Sequence, residues 1–127
     1  MEKKITFWDI GGDIGIKNLR NKYLPLPYND AIIFLIDSSE SLENDNFRLH
    51  YKDNFEELQK CINIIEDIPL LIAITKIDKR NSSTLDIINA YQLQNLFQRK
   101  RKFGIIECSS FTSQGIKEIL FWLSSID

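Results

Sequence analysis

Apolar and polar positions along this chain fall into blocks that read strand, loop, helix, and then repeat. Lys4-Ile5-Thr6-Phe7-Trp8 predicts a strand. The mixed segment from Ile14 to Leu24 predicts one irregular helix, stopped by Pro25 and Pro27. Ala31-Ile32-Ile33-Phe34-Leu35-Ile36 is a continuous apolar run of strand length, the pattern of a strand covered on both faces. The polar, acidic stretch from Ser38 to Asn46 predicts a loop. Phe55, Leu58, Ile62 and Ile65 then recur at helical spacing. Pro69 to Ile74 predicts a second buried strand, Leu85, Ile88 and Tyr91 mark another helical face, and Phe103 to Cys108 predicts the last strand. Thr112 or Ser113 is expected to cap a closing helix that carries Ile116, Ile119, Leu120 and Leu123 on one face. Buried strands alternating with amphipathic helices predict an α/β fold: a mostly parallel sheet flanked by helices, joined by right-handed crossovers.

Composition narrows the class. The 127 residues suit one domain, residues 1–127, with a real core, and 43% hydrophobic with 27% charged residues is an ordinary globular balance. A formal net charge of −2 offers nucleic acid no basic face. Cys61 and Cys108 sit in apolar surroundings and read as reduced core residues of a cytoplasmic protein. No apolar run reaches the roughly 18–20 residues needed to span a bilayer. Neither a signal peptide nor a lipidation motif is present, so no membrane anchor is expected in this chain. His50, the one histidine, has no Ser or Cys partner in the pattern and reads as non-catalytic. The basic run Gln98-Arg99-Lys100-Arg101-Lys102 reads as charge protecting a sheet edge rather than as a phosphoinositide or acidic-partner patch.

In parallel α/β sheets ligands bind outside the carboxyl ends of the strands. The polar residues expected there are Asp9, Asp37, Thr75-Lys76-Ile77-Asp78 and Cys108-Ser109-Ser110. A carboxylate at Asp78 can accept hydrogen bonds from the N1–H and exocyclic amine of guanine. Adenine has an acceptor at N1 and would leave the acid unpaired, and hydrogen-bonded discrimination of this kind reaches ~10⁴–10⁵. The aliphatic stem of Lys76 can cover one face of the base. A backbone N–H of Cys108-Ser109-Ser110 can reach guanine O6, although small polar residues before a helix also serve simply as caps. In Trp8-Asp9-Ile10-Gly11-Gly12-Asp13, an acid at a strand end can hold Mg²⁺ through water, and Gly12 lets a backbone N–H approach a γ-phosphate.

These strings, in this order and spacing, resemble the Arf family of small GTPases (Arf, Arf-like and Sar proteins), whose third motif reads Trp-Asp-x-Gly-Gly-Gln. The resemblance runs through Tyr23, Asp37-Ser38, Thr75 to Asp78, Cys108 to Ser110 and Phe121-Trp122-Leu123-Ser124. It implies a truncated P-loop-NTPase, G-domain-like fold that supplies the family's strands three to six. It implies GTP or GDP with Mg²⁺ as cofactors, Asp9 as the water-mediated magnesium acid and Gly12 as the γ-phosphate sensor. Thr75, Lys76 and Asp78 would read guanine, with Cys108, Ser109 and Ser110 alongside and Ser109 supplying the O6 contact. Trp8 and Tyr23 match aromatic positions used for effector recognition, and Ile14 to Leu24 would be the second switch segment. Effector and regulator proteins would be the partners, in a cytoplasmic protein of membrane trafficking whose full-length form is peripheral to membranes.

Four departures from the family pattern change the expectation. The chain contains no Gly-x-x-x-x-Gly-Lys-Ser/Thr loop. That loop's charge-assisted hydrogen bonds to phosphate are worth ~1.5–3 kcal/mol each, and losing ~6 kcal/mol weakens binding ~10⁴-fold. Asp13 stands where the family has its water-orienting Gln, so weak or absent hydrolysis is expected. The commonest first residue of the guanine motif is Asn, and here it is Thr75. The family's central first strand also has no equivalent, so Lys4 to Trp8 would pair directly with Ala31 to Ile36, or another chain would fill the place, or the sequence belongs to a longer protein. The last is the expectation, because an open gap would leave buried backbone groups unpaired at ~1–3 kcal/mol each. The functional expectation is an Arf-like guanine-nucleotide switch, impaired in binding and hydrolysis as the chain stands. The alternative is a nucleotide-independent interaction module, a pseudo-GTPase using switch II and its aromatic surface. A phosphoacceptor receiver domain needs a paired acid after its first strand and five strands, which the pattern lacks.

Overall fold

A computed structural model describes residues 31–39, 54–60, 62, 68–98 and 102–126. The strand expected at Lys4 to Trp8, the segment Ile14 to Leu24, and residues Cys61, Ile65 and His50 lie outside the described residues. Within them the order is strand β1 (Ile32–Asp37), helix α1 (residues 54–60 and 62), strand β2 (Leu70–Thr75), a 3₁₀ turn (Ile77–Lys79), helix α2 (Thr84–Ala90), a second 3₁₀ segment (Leu93–Gln98), strand β3 (Phe103–Glu107) and helix α3 (Ile116–Ser124).

The three strands form one sheet in the order β1-β2-β3, and both pairings are parallel. Register places Leu70 opposite Ile32 and Phe103, and Ile74 opposite Ile36 and Glu107. All three carboxyl ends therefore open on one rim, the arrangement the alternating pattern predicts.

The faces follow from the two-residue period of a strand. Leu70, Ile72 and Ile74 of β2 join Ile36, Leu58, Ile62, Ile87, Tyr91, Leu93 and Leu96 in one buried cluster, with Phe103 and Ile105 packed against it. Leu71 and Ala73 point the other way and are equally buried. On that side α3 comes close enough that a Cβ at Gly104 would lie 2.7 Å from Trp122 Nε1 and 3.2 Å from a Leu71 methyl. Lys102 rests its ammonium 5.4 Å from the Trp122 ring centroid, a cation–π contact. An open cleft of about 420 Å³ lies between β3 and α3, lined by Ile106, Phe121 and Trp122, and it shares no residue with the strand-end rim.

β2 is thus the strand the apolar run promised, buried on both faces. Ile72→Ala is expected to cost about 2–5 kcal/mol, the range for deleting a fully buried branched side chain, and urea unfolding measures it. β1 departs from the same expectation, because Leu35 is 64% exposed. Among the described strands β1 has a neighbour on one side only, and Leu35 faces away from the cluster that buries Ile36.

Two helix readings are corrected. Of the α2 face expected from Leu85, Ile88 and Tyr91, the following Tyr91 is buried and Ile88 half-buried against the core, while Leu85 is exposed and Ile87 is buried instead. Ser83 caps this helix by accepting the Asp86 N–H at 3.1 Å. In α3 neither Thr112 nor Ser113 caps: the Thr112 hydroxyl accepts the Gln114 N–H, and the helix starts after Gly115 in the left-handed conformation, φ 81°. Ile119 and Leu123 are the half-buried positions of α3, with Trp122 beside them, and Ile116 and Leu120 are exposed. No helix among the described residues is long and apolar enough to cross a membrane.

Candidate functional site

The rim is stitched together from three strand ends. The Thr75 carbonyl accepts from the Ser38 amide at 3.1 Å and from the Ser38 hydroxyl at 2.7 Å. The Thr75 hydroxyl donates back to the Ile36 carbonyl at 3.3 Å. On the other side, Cys108 N–H donates to Ile74 O and Ile77 N–H donates to Cys108 O at 3.3 Å. The segment Thr75-Lys76-Ile77-Asp78 is therefore held from both neighbours, and its hydroxyl at 75 ties β2 to β1.

Lys76 turns the chain. It sits in the left-handed region, φ 57° and ψ 38°, uncommon for a residue with a Cβ. The single 3₁₀ turn Ile77–Lys79 then carries Asp78. After the turn Arg80 latches onto β3: its guanidinium bonds Glu107 at 2.5 Å and the Thr84 hydroxyl at 3.4 Å. Asn81 and Ser82 donate their amides to the Ser38 carbonyl, closing the loop against β1.

Asp78 and Ser109, 31 residues apart, meet directly: the Ser109 hydroxyl donates to Asp78 Oδ1 at 2.7 Å. Ser109 is fully buried, and the same hydroxyl accepts the Thr112 N–H at 3.2 Å. One Asp78 oxygen is therefore oriented by a fixed donor. The other oxygen has no partner among the described residues, and the residue is exposed. A carboxylate offers about four lone-pair sites, so this one retains capacity for two donors from a ligand.

The Ser109 amide is engaged elsewhere. It donates to the Gln114 carbonyl at 2.9 Å, so an acceptor of a ligand reaches this N–H only by displacing that bond. The adjacent Ser110 is exposed, and its N–H has no partner among the described residues. Cys108 is buried, and burial pushes its thiol above the ordinary value, which keeps it protonated and unreactive.

Asp37 lies on this rim, where an acid ending an apolar strand is expected, but the motifs assign it no role there. Its Oδ2 pairs with Lys76 Nζ at 2.9 Å, and its Oδ1 accepts the Ser39 amide at 2.8 Å and the Ser39 hydroxyl at 2.6 Å. Partial burial alone would raise this carboxyl. The Ser39 hydroxyl, Lys76 and the Ser39 amide outweigh it and hold the carboxyl below its ordinary value. A group depressed on folding contributes stability that is complete above its unfolded value and is lost as pH falls through the folded one. The Asp37 side chain is 38% exposed and Lys76 60%, so solvent screens the pair and its worth is ~1 kcal/mol or less. The stability difference between the natural chain and Asp37→Asn is accordingly expected to be flat at neutral pH and to vanish under acid conditions below the ordinary carboxylate value. Urea unfolding across pH checks this.

Among the described residues no group of three or more His, Cys, Asp or Glu is placed to hold a metal ion. Asp9, Gly12, Asp13, Trp8 and Tyr23 lie outside the described residues.

The family model of the ADP-ribosylation factor family (Arf) matches residues 1–126 of the chain. The chain belongs to that family. Similar proteins include ADP-ribosylation factor K of Dictyostelium discoideum, 28% identical over 124 residues that cover 95% of this chain and 60% of that protein. ADP-ribosylation factor-like protein 2 of the same organism is 28% identical over 123 residues, covering 96% of this chain and 62% of its own length. The Rho-related protein racC of Entamoeba histolytica is 28% identical over 129 residues, covering 91% and 60%. The Arf-family chain thus spans about three fifths of the length of these relatives. The three parallel strands in one sheet with their helices fit a truncated α/β P-loop GTPase fold, and the loops after β2 and β3 share a rim.

Proposed function

We propose that this chain carries the guanine-reading half of an Arf-like nucleotide switch. The observation that carries the reading is the meeting of Asp78 and Ser109, which brings the two loops after β2 and β3 to one point and leaves one carboxylate oxygen with no partner among the described residues. In this reading Asp78 accepts the N1–H and amine of guanine, the Lys76 stem covers a face of the base, and the hydroxyl of Thr75 holds the loop to β1. Ser109 meets O6 through its amide once the Gln114 carbonyl is released. Ser110 supplies the neighbouring free donor, and Cys108 sets the strand end behind them.

Asp9 holds Mg²⁺ through water and Gly12 senses the γ-phosphate in this proposal, with GTP and GDP as the ligands. Trp8 and Tyr23 belong to the switch II surface that effectors and regulators of membrane trafficking would meet. Binding is weak within these 127 residues, because they contain no Gly-Lys-Ser/Thr loop, and hydrolysis is weak because Asp13 sets a negative charge toward the γ-phosphate. The same two features support a second reading, a pseudo-GTPase that engages partners without nucleotide.

Calorimetric titration with GDP and with ADP in Mg²⁺ separates the readings. Saturable binding of GDP in preference to ADP supports the switch. A folded chain that binds neither supports the interaction module.

A further inference from the structure

We propose that Asp37 is a positioning residue for the base-covering lysine: it stretches Lys76 across the mouth between β1 and β2, so that the methylene stem stands as a ready wall of the purine site. The inference rests on the guanine-nucleotide reading above.

The stem is fixed at both ends. At its root, the left-handed backbone of Lys76 sets the direction in which the side chain leaves the loop, φ 57°. At its tip, the ammonium is 2.9 Å from Asp37 Oδ2. Register explains why an acid is available there, since Asp37 lies opposite Thr75, one position before the lysine. The carboxylate is itself anchored, because its second oxygen takes both the amide and the hydroxyl of Ser39 at 2.8 and 2.6 Å. A carboxylate held this way can dictate where a long, flexible side chain lies, whereas a freely rotating one would follow it.

The consequence is preorganisation. Lysine carries several rotatable bonds, and a ligand that stacks on a loose stem must freeze them on binding. A stem already tethered presents its apolar side without that loss, and its charge stays in water at the rim. The tether also settles where the cation goes. Asp78, two residues on in the same loop, is the acid that must stay open for the base, and pairing Lys76 with Asp37 directs the charge to the other side of the loop.

The test is a double-mutant cycle on GDP binding in Mg²⁺, using the full chain, Asp37→Asn, Lys76→Met and the pair. Asp37→Asn keeps the acceptor that Ser39 uses and removes the charge that holds the lysine. It is expected to weaken GDP binding about fivefold, the scale of an exposed ion pair. In the Lys76→Met background the same change is expected to have no effect, and Asp37→Glu should recover part of the loss. Equal losses in both backgrounds would mean that Asp37 acts through the fold and would overturn the proposal. So would full GDP affinity in Asp37→Asn, and in that case the nucleotide reading stands. If the natural chain binds GDP no better than ADP, the nucleotide reading itself fails and takes the lysine's role with it.

Discussion

Gly115→Ala is expected to destabilise the chain by roughly 2–6 kcal/mol, combining a backbone forced into a costly conformation with an atom forced into occupied space. Gly115 has φ 81°, where L side chains rarely sit. Its added Cβ would be driven into the Glu107 carbonyl oxygen and would lie 2.9 Å from Cys108 Cβ and 3.0 Å from Cys108 Cα. Backbone at a strand end cannot step aside as a long side chain can. The strand end in question precedes Ser109, whose amide bonds the residue before Gly115 and whose hydroxyl orients Asp78. Damage at 115 should therefore reach the rim as well as the core. Gly104→Ala is the comparison: its Cβ meets the Trp122 side chain at 2.7 Å, with no left-handed backbone, and side-chain repacking limits the cost to ~1–3 kcal/mol. Urea midpoints of the two variants, measured side by side, decide the matter. A Gly115→Ala chain as stable as the natural one would show that α3 does not start as described.

The same glycine shows why part of the fold was legible in the chain and part was not. β2 could be read because every residue from Leu70 to Ile74 is apolar and every one is buried. β1 looked identical in sequence, yet Leu35 is exposed, because burial depends on what lies over each face and a run of apolar residues does not report that. The start of α3 was misplaced because Thr112 and Ser113 are good capping residues by type, while the backbone at Ser113 and Gly115 is left-handed. In α2, Tyr91 and Ile88 of the expected face do turn to the core, but Leu85, which shares their spacing, is exposed and Ile87 is buried in its place. At the rim, Thr75 to Asp78 and Cys108 to Ser110 were visible as short strings. The bonds that join them were not, because Ser109 and Asp78 are 31 residues apart, and the ion pair between Asp37 and Lys76 crosses from one strand end to the next.

Asp78→Ala is expected to weaken GDP binding by about 10²–10⁴-fold, the effect of removing two hydrogen bonds to a charged acceptor at ~1.5–3 kcal/mol each. Among the described residues the variant removes one other contact, the acceptor for the Ser109 hydroxyl, and Ser109 keeps its bond from Thr112 N–H. Stability should therefore fall by ~1–3 kcal/mol, the cost of leaving the buried Ser109 hydroxyl without its acceptor, and urea unfolding verifies that the chain tested for binding is folded. The ligand supplies an independent check. IDP lacks the exocyclic amine and can give the carboxylate one hydrogen bond in place of two, so the natural chain should bind it about 10²-fold less tightly than GDP. In Asp78→Ala that preference should disappear, because no carboxylate is left to count donors. Equal affinity of the natural chain for GDP and IDP would mean that the acid at 78 does not face the edge of the base. The rim would then hold two loops together through Ser109 and read nothing.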